Sequence, residues 1–312
     1  MFSQKKQESH YLDDLTFVHF GRDVRLEQLK ASEEKSHVAL YQSPQVIYQR
    51  WRYACAYEQQ LFSGEGFRSF GLPERVGSMP WAFEQFIADD VLMVFSHEEP
   101  MEASAPSGCS GHSISIADGF LEELLGQIYH VAIESLIPSA GLYLPSARKL
   151  RVIREELRKW RELLACGAST RSAIIARREE SLGLALIDTI FDAQMLVPEP
   201  MIKSEHSMKM ALELIHDSEL ENISALDLCK HSGCSQRTLE KTFLKRFGIT
   251  PKKYVKSLRL ARVRHSLRNF DTQDSDTIIE LAGTQGFWHM GQFAADYRSI
   301  YGELPSETLT RR

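Results

Sequence analysis

Residues 233–268, GCSQRTLEKTFLKRFGITPKKYVKSLRLARVRHSLR, decide how the whole chain is read. From Arg237 onward they hold eleven Lys and Arg against a single acid, Glu240. In a chain of formal net charge -5, so large a local excess suits a polyanion. A charge run alone is more often just a solvated helix face, so the reading depends on its setting. Leu239, Phe243 and Phe247 recur every four residues, which places one apolar stripe on a helix that Ser235 opens and Gly248 closes. Thr250, with Pro251 at the first helical position, opens a long basic helix to about Arg268.

Upstream, Ser224 and Asp227 form an S-x-x-D capping box for a short helix, and Gly233 marks the turn after it. Short helix, turn and second helix make a helix-turn-helix. The plan returns in residues 277–305. A shift of 53 places Leu226, Leu228, Cys229 and Gly233 on Ile279, Leu281, Ala282 and Gly286. A shift of 54 places Leu239, Phe243, Phe247, Gly248 and Pro251 on Phe293, Tyr297, Tyr301, Gly302 and Pro305. Two copies of one unit follow. The helix joining them is about 28 Å long at about 1.5 Å per residue. Successive major-groove faces on one side of B-DNA lie about 34 Å apart, so two recognition helices at its ends can enter adjacent grooves.

The pattern L-x-x-x-F-x-x-x-F-G-x-x-P-x-x-Y-x-x-x-x-R-L-x-x-A/V, carried by Leu239, Phe243, Gly248, Pro251, Tyr254, Arg259, Leu260 and Val263, resembles the AraC/XylS family of bacterial transcription regulators. The second copy continues it with I-x-x-L-A, Gly286–Phe287, Phe293, Tyr297, Gly302 and Pro305. The resemblance covers about a third of the chain. It implies a DNA-binding activator or repressor with double-stranded DNA, a second copy of itself and RNA polymerase as partners. It also implies a small effector held in an N-terminal β domain and dimerisation through the helices that follow; no residue of the N-terminal region carries the resemblance.

Within the first recognition helix Gln236, Arg237, Glu240 and Lys241 are the expected base readers. Arg237 suits guanine O6 and N7, and Glu240 suits the cytosine N4 amine. By resemblance, Arg237, Glu240 and Lys241 fall where the family contacts bases. Ser235 and Thr238 suit phosphates at the helix N-terminus, and Lys252 and Lys253 should neutralise others. The second copy has no Lys or Arg before Arg298, and its expected readers are His289, Met290 and Gln292. The first copy should therefore dominate affinity.

The other two-thirds of the chain has the opposite balance. Residues 205–312 hold 16 basic against 14 acidic residues, which leaves 21 against 28 in residues 1–204. The expected layout is α+β: an N-terminal β-rich, barrel- or sandwich-like sensor domain over 1–197, a linker at 198–204, and an all-α DNA-binding domain over 205–312. The β part spans about 15–117, with strands at 16–20, 38–42, 46–54 and 91–95, after a loosely ordered polar segment at 1–14. Helices follow over 118–197: one at 120–137 capped by Asp118, one carrying Leu150, Ile153, Leu157, Trp160 and Leu164 along a stripe, and one from about Arg171 to Leu196. The stripe can serve a homodimer or its own domain. The aromatic-rich β region can line a small-molecule pocket with polar groups such as Arg50, Arg52 or Glu84.

Other chemistries find little support. Five widely spread cysteines without a C-x-x-C pair argue against disulfides and structural zinc. No apolar run approaches a membrane span, the N-terminus has no h-region, and a cytoplasmic location is expected. Neither a phosphate loop nor a G-x-S-x-G or H-E-x-x-H motif is present, so no enzyme activity, metal or cofactor is expected. Two alternatives remain: a ligand-independent regulator whose β domain only contacts proteins, and a DNA-repair methyl acceptor built on Cys109 in SGCSG.

Overall fold

The computed structural model describes residues 3–15, 24–61, 63–76, 80–96, 101–106, 108–128, 140–165, 172–191, 193–197, 203–217, 223–269 and 277–310. Thirteen strands occur among them: β1 (Ser3–Ser9), β2 (Val24–Gln28), β3 (Ser36–Gln42), β4 (Val46–Tyr53), β5 (Tyr57–Leu61), β6 (Phe67–Val76), β7 (Trp81–Ala82), β8 (Gln85–Phe86), β9 (Leu92–Val94), β10 (Met101–Ala105), β11 (Cys109–Ala117), β12 (Gly141–Leu144) and β13 (Gln194–Leu196). They form two antiparallel sheets, one ordered β1-β3-β4-β11-β6-β9-β12-β13 and one ordered β2-β5-β10-β7-β8. Both are open, so the N-terminal region is sandwich-like and not a closed barrel.

The expected strands at 38–42, 46–54 and 91–95 correspond to β3, β4 and β9; the one at 16–20 lies outside the described residues. Three strands, β1, β12 and β13, lie outside the expected β part at about 15–117. β1 is polar throughout, SQKKQES, yet pairs with β3 from Ser3↔Gln42 to Ser9↔Ser36, so the segment expected to be loose is an edge strand. Lysines on such an edge discourage further pairing. β12 and β13 are short and close the other edge, with Leu142 opposite Leu196.

Three helices follow the same sheet: α1 (Asp118–Ile128), α2 (Ala147–Ala165) and α3 (Ser172–Phe191). The tail of the helix expected at 120–137 lies outside the described residues, and α3 ends before 196 because the chain turns there into β13. Leu150, Ile153, Leu157 and Trp160 point into their own core with Tyr41, Tyr48, Phe70 and Ile116 from the eight-stranded sheet. Trp160 is fully buried and meets Tyr41 edge-on at 4.6 Å. Of the two expected uses of the stripe, packing within its own domain accounts for these four residues: their apolar face is already covered within the chain. The side chain of Leu164 lies outside the described residues. On α3, Leu182, Leu186 and Ile190 are buried, whereas Ile174 and Phe191 are exposed.

A second core fills the space between the sheets, with Tyr53, Tyr57, Met93, Met101 and Cys109 among its members. Behind it, His112 is buried and bonded through Nδ1 to the Tyr48 hydroxyl at 2.8 Å. Burial pushes its pKa down to about 4, so it is neutral near pH 7. Glu74, 3.8 Å from its other nitrogen, is held by Arg50 and by Arg161 of α2. His37 pairs with Glu8 at 3.2 Å.

The described residues of the C-terminal region form only helices and their connections: α4 (Lys203–Asp217), α5 (Ala225–Ser232), α6 (Gln236–Phe247), α7 (Pro251–Arg268), α8 (Ile278–Gly283), α9 (Met290–Tyr301) and α10 (Pro305–Thr310). α4 begins inside the expected linker, whose residues 198–202 lie outside the described set. One core joins α4, α5, α6 and the first half of α7; a second joins the rest of α7 to α8, α9 and α10.

The outer face of the five-stranded sheet meets these helices. Leu29 and Ala56 belong to the same core as Met208, Phe247 and Tyr254. Ser257 donates to the Leu29 carbonyl at 2.8 Å, and Arg246 donates through Nε to Ser104 at 3.0 Å. The Tyr254 hydroxyl donates to the buried carboxylate of Glu58, which also faces His216 at 3.7 Å. Burial would raise the Glu58 pKa, but His216, Tyr254 and Arg246 outweigh it and hold it below its usual 4.5. The hydrogen bond to Glu58 lifts His216 above 6.5 despite its burial.

The signs give a pH window. Stability from His216 is complete below pH 6.5 and is lost as pH rises through its raised value; that from Glu58 is present above pH 4.5 and is lost on acidification. Docking of the two regions is therefore expected to be tighter at pH 6 than at pH 8. Protease cleavage within 198–204 should be slower at pH 6, and His216→Gln should erase the difference; equal cleavage rates in the wild-type chain would refute the linkage.

Candidate nucleic-acid interface

Each helix-turn-helix is set by caps that the sequence supplies. Ser224 and Asp227 make a reciprocal capping box at α5, and Thr277 with Glu280 makes the same box at α8. The second box sits 53 residues after the first, so the repeat itself could have revealed it. Ser235 caps α6 by accepting from the Thr238 amide, and Thr250 caps α7 in the same way through Lys253. Both recognition helices end on a glycine in the left-handed region: Gly248 at φ 69° after α6 and Gly302 at φ 64° after α9.

The repeat predicts the cores well, with one exception. Leu239, Phe243 and Phe247 are buried, as are Phe293, Tyr297 and Tyr301 at the equivalent places. Leu226 and Ile279, matched by the shift, are both exposed, at 61% and 63%. They sit on the outer side of the first helix in each copy and hold no core.

Of the eleven basic residues in 237–268, two are buried. Arg246 lies against Trp81, and Arg264 is bonded to Glu303 at 2.6 Å beneath Tyr301. Lys256 pairs with Asp296 at 2.8 Å, and Arg268 with Asp14 at 3.0 Å. Charge counting could not see this, because an acid far along the chain neutralises Arg264, Lys256 and Arg268, and an aromatic ring covers Arg246. Arg237, Lys241, Lys245, Lys252 and Lys253 are exposed and Arg259 and Arg262 half-buried; Lys245 is turned onto the Phe86 ring at 4.3 Å, so the open cationic surface centres on the start of α6 and the start of α7.

The polar readers are partly engaged. Gln236 donates to Glu240 at 2.8 Å, so one carboxylate oxygen of Glu240 is already satisfied. The hydroxyls of Ser235 and Thr238 bond each other at 2.9 Å at the helix cap, while the first amides of α6 remain at an exposed N-terminus. In the second copy Gln292 donates to Asp296 at 3.1 Å. His289 is exposed at the N-cap of α9 without a side-chain cap bond, and Met290 is half-buried against Phe293 and its neighbours. Trp288, absent from the expected readers, is 76% exposed just before α9. It lines a groove between the two units with Lys252, Arg259 and His289.

Comparison with known proteins gives a consistent set of matches. A helix-turn-helix domain model fits residues 228–311. The chain is 37% identical over 107 residues to the XylDLEGF operon transcriptional activator of Pseudomonas putida, over 34% of this chain and 33% of that one. It therefore spans about a third of the length of that relative. It is 35% identical over 109 residues to XylDLEGF operon transcriptional activator 2 of the same organism, over 35% of this chain and 69% of that one. Among solved structures, the AraC-like transcriptional activator CuxR matches at 12% identity with a TM-score of 0.43, covering 85% of this chain and 96% of that one.

Proposed function

Because the chain belongs to the AraC/XylS family of transcription regulators, we propose that it binds double-stranded DNA sequence-specifically through two helix-turn-helix units and controls transcription. One observation carries the reading: two capped units joined by the 18-residue α7, about 27 Å at 1.5 Å per residue, leave Arg237, Lys241, Lys252 and Lys253 exposed. Arg237, Lys241 and the Gln236–Glu240 pair read bases in one groove. Gln292, His289 and Met290 read the next, and Lys252 and Lys253 meet phosphate, with the amides at the α6 N-terminus beside Ser235 and Thr238.

The partners follow from that reading. A second copy of the chain and RNA polymerase complete the assembly at a promoter, and a small molecule acting on residues 1–197 shifts the population able to hold DNA. No helix among the described residues is long and apolar enough to cross a membrane. The methyl-acceptor alternative loses ground, since Cys109 is 2% exposed in the core between the sheets, out of reach of a DNA strand.

Selection of binding sites from random duplex DNA, followed by footprinting, tests the function. A protected site spanning two successive major-groove segments supports it, and binding without sequence preference refutes it. At the selected site, Lys252→Ala and Lys253→Ala should each lower the slope of log affinity against log salt by about 1, without changing the preferred sequence.

A further inference from the structure

The cavity between the two sheets measures about 40 Å³, room for a few waters at most. Pockets that hold small molecules run from about 300 to 1,000 Å³. A cleft of about 530 Å³ lies instead between the five-stranded sheet and the DNA-binding helices. Trp81, Phe83, Met101 and Glu102 line it from the sheet, Met208 and Leu212 from α4, and Arg246 from the recognition helix α6.

Arg246 is the anomaly there. It is 2% exposed, its guanidinium lies 3.3 Å from the centre of the Trp81 ring, and Nε is spent on Ser104. Among the described residues its Nη2 has no hydrogen-bond partner and no carboxylate forms an ion pair with the group. The buried Glu58 carboxylate acts on this charge but does not bond it, and the unpartnered donor still calls for an acceptor such as an anionic oxygen. Burial pushes the Arg246 pKa down only to about 10, so the charge persists at neutral pH. Glu58 is the stronger carboxylate influence on that charge but does not line the cleft; Glu102, exposed on β10, lines it with Arg246, acts on the charge more weakly and accepts one long bond from Gln60 at 3.4 Å. A cation beside an acid at the end of an apolar cleft matches a carboxylate beside an ammonium.

The cleft is also clamped. Phe83 and Glu84 form the two-residue turn between β7 and β8 with φ of 48° and 62°, values disfavoured for such side chains. Glu84 reaches Lys209 of α4 at 2.6 Å across the cleft.

We propose that this cleft binds an α-amino acid with an apolar side chain, its carboxylate on Arg246, its ammonium on Glu102 and its side chain against Met101, Met208 and Leu212. The proposal rests on reading residues 1–197 as a sensor. Such a ligand touches sheet and recognition helix at once, and so couples occupancy to the placement of α6.

Titration calorimetry on the full chain tests it, with L-phenylalanine and L-leucine as probes. 3-Phenylpropanoate and 2-phenylethylamine serve as controls, each lacking one charge of the head group. Both amino acids should bind, and each control should bind at least about tenfold more weakly. Arg246→Gln should abolish binding. Glu102→Gln, at an exposed strand position, should weaken L-phenylalanine and leave 3-phenylpropanoate unchanged, and it decides the matter if the Arg246 variant does not fold. The proposal is overturned if the wild-type chain binds neither amino acid at millimolar concentration. Equal affinity for 3-phenylpropanoate and L-phenylalanine, or unaltered binding in the folded variants, also overturns it. DNA binding by the ligand-free chain is measured alongside: its loss counts against the regulator reading and leaves the cleft assignment to the calorimetry.

Discussion

Arg237→Ala is expected to weaken binding to the selected DNA site by roughly five- to hundredfold, the equivalent of about 1–3 kcal/mol for a bidentate contact to guanine. The side chain is exposed in the first turn of α6 and lies outside the cores that hold the unit together, so the change should leave folding intact. Its neighbour Gln236 is tied to Glu240, which leaves Arg237 and Lys241 as the cations near the entry of that helix. Gln292→Ala should cost less, because the second copy offers no exposed cation before Arg298 and its Gln292 already serves Asp296. Gel-shift titrations of both variants at one salt concentration decide the ranking. Equal losses would show that the second unit shares the work of affinity. Discrimination should also relax at one base pair only in the Arg237 variant, since a phosphate contact would weaken all sequences alike.

Trp160→Ala should destabilise the N-terminal region by about 3–5 kcal/mol, the usual cost of emptying a large aromatic site in a packed core. The indole is enclosed by Tyr41 and Tyr48, with ring centres at 4.6 Å and 6.0 Å. Trp160→Phe should cost much less, because the indole Nε1 has no partner among the described residues and its removal relieves an unsatisfied donor. Denaturant melts of the full chain measure both. If Trp160 instead faced a second copy, the Ala variant would show a concentration-dependent change in mass by light scattering with little loss of stability.

The DNA-binding half was legible because its signals are local. Ser224, Ser235 and Thr250 fix helix starts through bonds made within three residues, Pro251 does so through its ring-locked φ, and Gly248 and Gly302 fix ends through their own backbone angles. The strands β3, β4 and β9 were equally plain from apolar patterning. What escaped reading depends on distant partners. Polar β1 is a strand only because β3 lies beside it, and the stripe on α2 names no partner until the sheet arrives. Arg246 and Arg264 look like any other cations in a basic run until Trp81 and Glu303 cover them. For the candidate site, residue identity was visible while availability was not: Glu240, Ser235 and Gln292 carry bonds that only the fold reveals.

The second unit is braced by residues made long before it. Gln28 donates to the carbonyl of Ile300 at 3.3 Å, and Asp14 receives Arg268. A Cβ on Gly302 would come within 2.0 Å of the Tyr11 hydroxyl. Contacts that join positions more than 250 residues apart form late, since the loop between them must close first. During synthesis the sheet residues wait on the ribosome for helices that do not yet exist. The reader of the second groove thus acquires its support last, and a nascent chain holds an assembled first unit before it can grip two.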